Sequence, residues 1–100
     1  MKVVLSDGKA AQAFKNEQIF FTSVFRMSDT EWRCETENEL FVFRVKDELS
    51  TLWLARGETE NELTSSMPIA KVLNNKINFI DIMMAIDCTM DLDNTWDEFI

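Results

Sequence analysis

The sequence predicts an α+β domain: an antiparallel sheet of four to five strands in the first half, packed by two short C-terminal helices and an acidic tail. Three observations lead there. Leu40 to Ala55 joins two runs of β-branched and aromatic residues through a short polar break. Between Gln18 and Arg56, further runs of that kind alternate with short polar turns. After Gly57 the chain turns acidic, and its apolar residues fall at helical spacing. At 100 residues the chain has apolar surface for one core, so a single domain over 1–100 is expected.

At the start, Lys2 to Leu5 reads as a short strand, Ser6-Asp7-Gly8-Lys9 as a turn, and Ala10 to Lys15 as a short helix or irregular turn. Gln18 to Met27 carries Ile19, Phe20, Phe21, Val24 and Phe25, a strand-like run in which Thr22 and Ser23 fit a strand better than a helix interior. Ser28-Asp29-Thr30 turns into Glu31 to Glu35, where Trp32 and Cys34 alternate with charged neighbours and so point inward. Glu37-Asn38-Glu39 is the next turn. The hairpin follows: Leu40 to Val45, a loop at Lys46-Asp47-Glu48, then Leu49 to Ala55. Phe41, Phe43 and Val45 share the face expected to meet the core. The second strand is apolar on both faces, as suits a central strand with something packed on each side. Together these runs imply an antiparallel meander of four strands.

Gly57 to Ser66 is polar and reads as an exposed loop. Ser65-Ser66-Met67-Pro68 offers a cap and a first-turn proline, with Ile69, Val72 and Leu73 as the stripe of a short helix ended by Asn74-Asn75. Asn78 caps a second helix through Ile86 that is apolar around most of its girth, with Asp81 outward; the run is short enough that a strand remains an alternative.

Charge and missing residue types narrow the function. The net charge is −8 and unevenly spread: residues 1–56 hold eight Lys/Arg against nine Asp/Glu, whereas 57–100 hold Lys71 and Lys76 against nine acids. Such a surface repels phosphate backbones and anionic membranes and speeds encounter with basic proteins, so neither nucleic acid nor membrane is an expected partner. With no histidine and no tyrosine, the commonest general base and transition-metal ligand are missing. Cys34 and Cys88 have no histidine to activate them and read as two buried thiols. Gly8 and Gly57, the only glycines, cannot build a phosphate cradle. No catalytic residue, cofactor or metal is expected. Asp91 and Asp93 have the i, i+2 spacing of a calcium loop but no third ligand at the expected offset and no turn glycine. The longest apolar run, Ile77 to Ile86, is too short to span a bilayer, and Met1 to Asp7 meets charge too early for a secretory segment. A cytoplasmic location is therefore expected.

The tail is the leading candidate surface. Asp87, Asp91, Asp93, Asp97 and Glu98 surround Trp96 and Phe99. Acids would steer a basic partner and the aromatics would anchor it, unless Trp96 and Phe99 fold back into the core. Glu58, Glu60 and Glu62 alternate and on an extended loop would form an acidic comb beside the tail, unless they serve only to solubilise the loop. The profile is that of a small acidic inhibitor of immunity type, which neutralises a basic nucleic-acid-handling protein such as a nuclease toxin. A phage anti-defence protein or nucleic-acid mimic is the nearest alternative. A homo-oligomeric subunit burying Leu52, Leu54 and the two-sided helix, or a small-molecule binder, represents the other classes.

Overall fold

The computed structural model describes residues 2–73 and 77–90. The hairpin stands at the centre. Strands β5 (Leu40–Lys46) and β6 (Thr51–Gly57) pair antiparallel, from Leu40 opposite Gly57 to Lys46 opposite Thr51. Their loop lies later than expected, at 47–50, because Asp47, Glu48 and Leu49 all take left-handed backbone with φ of 56°, 59° and 69°. Leu49 thus leaves the strand. The Ser50 hydroxyl donates to the Asp47 carbonyl at 2.5 Å, and the Trp53 indole N–H donates to the Asp47 carboxylate at 3.2 Å.

β4 (Glu31–Glu35) pairs with β5, and β3 (Ser23–Ser28) with β4, giving the four-strand meander. On the other side β7 (Met67–Val72) pairs with β6, and β1 (Val3–Leu5) closes the sheet. The order is β1-β7-β6-β5-β4-β3, six strands among the described residues and antiparallel throughout.

β7 corrects the expected helix from Pro68 to Leu73. Pro68 faces Trp53 and Ala70 faces Leu52, leaving Ile69 as an extra residue in a bulge. Ile69 and Ala70 are consequently both buried, and Val72 after them. The extra residue breaks strict alternation and puts Ile69 and Val72 three apart, which imitates a helical stripe. Pro68, second in its strand and beside the bulge, lies beyond the β1 pairing, which takes in Ala70, Lys71 and Val72.

Two α-helices are present among the described residues, but only one of them is C-terminal. α1 (Lys9–Asn16) follows β1, confirming the short helix there, and α2 (Phe79–Ile86) is the helix expected at Asn78. Asn78 and Asp81 form a reciprocal capping box: the Asn78 side chain accepts from the Asp81 N–H, and the Asp81 carboxylate accepts from the Asn78 N–H, both at 3.1 Å. That cap decides for helix over strand. The run at Gln18 to Met27 is divided at Thr22. β2 (Phe20–Phe21) leaves the main sheet and pairs in parallel with β8 (Thr89–Met90).

Both helices lie on one face of the sheet. Phe14 of α1 meets Phe41 and Phe43 with ring centroids 6.0 and 6.2 Å apart. Phe79 of α2 meets Phe43 at 5.7 Å and stacks on Trp32 at 6.3 Å, while Phe21 fits edge-on against Phe41 and Phe43. Phe41, Phe43, Val45, Trp32 and Cys34 all point into this core, as their alternation predicts. So do Leu52 and Leu54, at most 1% exposed, which removes them from any oligomer surface. Val42 and Ala55, opposite one another on the other sheet face, are also buried. The segment 58–66 covers that side: the Glu60–Glu62 3₁₀ turn is fastened to Arg33, and Thr64 exchanges hydrogen bonds with the Arg56 backbone. Gly57 allows the return. A Cβ there would sit 2.4 Å from the Glu62 carbonyl oxygen.

Candidate functional site

Carboxylates gather at one end of the molecule, where the 36–39 turn, the exit of β6, the 3₁₀ turn and the C-terminus of α1 meet. The organiser is Arg56. Its position in β6 places it on the helix-covered face opposite Phe41, with the guanidinium 4.7 Å from the Phe41 ring centroid and 5.8 Å from that of Phe14. It forks onto Glu39, with Nε to Oε2 at 3.0 Å and Nη2 to Oε1 at 2.8 Å. It reaches both oxygens of Glu17 as well, at 2.5 and 3.2 Å. Hydrogen bonds to Glu39 first, and to Glu17 after them, raise the guanidinium above its ordinary pKa despite partial desolvation. One cation therefore closes the open end of the aromatic core and holds two carboxylates from distant parts of the chain.

A second ion network crosses the opposite sheet face. Glu31 lies between Arg44, at 2.7 Å, and Arg33, at 3.5 Å, and Arg33 reaches Glu60 at 2.8 Å. The bond from Arg33 holds the Glu60 carboxyl below its usual range, and Glu60 in turn raises Arg33. Arg26 pairs with Asp29 at 2.6 Å. Each of the four arginines is thus engaged by a carboxylate of the same chain. Glu35, Glu37, Glu58 and Glu62 form no ion pair among the described residues, and all four are exposed.

Two grooves adjoin Arg56 and share Asn38 and Glu39. One, of about 610 Å³, runs past Gly57, Glu58, Glu62 and Thr64. The other, of about 380 Å³, has Ile19, Phe20 and Phe41 on its apolar side and Glu17, Glu37 and Glu39 on its acidic side.

Of the residues singled out from the sequence, Glu58 and Glu62 line the first groove. Glu60 does not join them as a third tooth of an extended comb. Residues Glu60–Glu62 form a 3₁₀ turn, and Glu60 is taken up by Arg33. Asp87 is exposed, in left-handed conformation at the C-terminus of α2, and lines neither groove. Asp91, Asp93, Trp96, Asp97, Glu98 and Phe99 lie outside the described residues. The sequence reading missed Glu17, Glu37, Glu39 and Arg56. An arginine ending an apolar strand between two acidic turns was the available signal.

Both thiols are free. Burial pushes Cys34 well above its ordinary pKa and Cys88 up to about 12, so neither is a thiolate at neutral pH. Among the described residues, no group of three or more Cys, Asp or Glu is arranged to hold a metal ion, and no helix is long and apolar enough to cross a membrane. No protein-family model, curated protein or solved structure matches the chain.

Proposed function

We propose that this chain is a small acidic inhibitor of immunity type, which binds and neutralises a basic nucleic-acid-handling protein such as a nuclease toxin, with no catalysis of its own. The observation that carries the reading is the sorting of charge. All four arginines are engaged by carboxylates of the same chain, while exposed acids with no ion pair among the described residues remain beside the grooves at one end. An acidic end of this kind raises the encounter rate with a basic partner and occupies the surface that the partner would offer to a phosphate backbone. The test is capture of the partner from the native host, followed by assay of its activity with the purified pair at low and moderate salt. A basic nuclease or nucleic-acid-binding protein should lose activity in step with added inhibitor, and salt should weaken the complex. A captured protein whose activity is unchanged at saturation overturns the reading.

One observation favours a second reading, association of two copies. Ile80 and Met84, 45% and 63% exposed, form an apolar stripe along the outside of α2. Mass that rises with concentration, and falls back for Met84→Glu, would support it.

A further inference from the structure

The 380 Å³ groove combines three features that the acidic end does not share as a whole. Its floor is apolar, because Phe41 is buried beneath it and Ile19 is half-buried. Its rim carries Phe20, half exposed although it belongs to a strand paired with Thr89. Its acidic side holds Glu17, Glu37 and Glu39, of which Glu37 has no ion partner among the described residues.

A long apolar stem ending in a positive charge matches that lining. The planar, forked cation is already in place: Arg56 donates a hydrogen bond to each oxygen of Glu39 and of Glu17. Each carboxylate has about four lone-pair sites, so bidentate engagement leaves roughly half of them open. Glu17 and Glu39 also remain partly solvent-exposed, at 42% and 34% of their side chains. A compact ammonium with three rotatable donors can use the scattered lone pairs of Glu17 and Glu39 together with Glu37, whereas a second rigid guanidinium would find an unoccupied carboxylate edge on Glu37 alone. The stem would lie against Phe20 and Ile19 while the head sits among the acids.

We infer that the groove between residues 17–22 and the 36–39 turn is a socket for a single lysine side chain projecting from the basic partner. This rests on the inhibitor reading and specifies its contact. Phe20 and Glu37 are the discriminating residues, being exposed and outside both the aromatic core and the Arg56 clamp.

Capped hexalysine and hexaarginine peptides are suitable probes, titrated into the full chain at low salt with amide NMR as readout. Hexalysine should shift residues 17–22 and 36–39 saturably and bind more tightly than hexaarginine. Phe20→Ala and Glu37→Gln should each weaken it by about fivefold to tenfold, in the range of a modest interface anchor. Asp7→Asn, which removes the same charge elsewhere, should change it less than about twofold. Equal losses from Asp7→Asn and Glu37→Gln, shifts centred elsewhere, tighter hexaarginine binding, or no binding of either peptide each overturn the socket. None of these outcomes touches the inhibitor reading, which fails separately if the captured partner keeps its activity.

Discussion

The helix-covered and loop-covered faces of the sheet close the same six strands by different chemistry. On the first, α1 and α2 bring Phe14 and Phe79 onto Phe41, Phe43 and Trp32, and the contacts are apolar and interlocked. On the second, a short acidic segment is held by one ion pair from Arg33 and two hydrogen bonds to the Arg56 backbone, over the small apolar pair Val42 and Ala55. Dispersion and hydrophobic burial scarcely respond to salt or pH, whereas exposed ion pairs respond to both. The contrast assigns global stability to one face and adjustable local order to the other. Arg56 joins them, since its side chain seals the aromatic core while its backbone anchors the loop.

Phe43→Ala breaks the comparison at its stronger side. Phe43 is fully buried and touches Phe14, Phe21 and Phe79. Its removal should cost about 3–5 kcal/mol, read as a fall in denaturant midpoint that is the same at low and high salt. A loss below about 1 kcal/mol, or one that depends on salt, would mean that the face is not closed by this packing.

How much of this contrast the sequence revealed follows from the range of the forces involved. Strict alternation at Glu31 to Glu35 and Leu40 to Val45 exposed the helix-covered core residue by residue, and the Asn78 cap marked α2. β7 was concealed because one bulged residue shifted its alternation into a helical spacing. The site was harder to see. Glu17 and Arg56 are 39 residues apart in the chain, and only the completed meander puts them in contact. The sequence pattern places Glu60 in a free acidic surface because its partner, Arg33, lies on a strand two turns earlier, where local sequence gives no sign of the loop folding back. Alternation reports which face a residue occupies, but not which distant charge it will meet there.

Gly57→Ala sharpens the comparison at the weaker side. The new methyl would stand 2.4 Å from the Glu62 carbonyl oxygen and 2.7 Å from its carbon, so backbone has to move. An expected cost of about 1–3 kcal/mol should appear as faster amide exchange confined to 58–66, with the protection of α1 and α2 retained. Uniform loss of protection would show that the loop is as integral to the fold as the helices are.

The smallest effect is also the one that tests the chemistry of the loop. The Arg33 hydrogen bond and charge depress the Glu60 carboxyl in the folded chain relative to its ordinary value of 4.5. A carboxyl depressed on folding contributes stability that is fully present above its unfolded pKa and is lost as pH falls through the lower folded value. Glu60→Gln should therefore be less stable than the parent at neutral pH, with the gap closing as pH drops below about 4.5. High salt should narrow the gap as well, because Glu60 lies in solvent where counterions screen it. Chemical-shift titration supplies the direct reading: the Glu60 carboxyl should titrate lower in the parent than in Arg33→Ala. If Glu60 titrates alike in both chains, the ion pair does not hold the loop, and the closure of that face falls to Gly57 and the Thr64 hydrogen bonds alone.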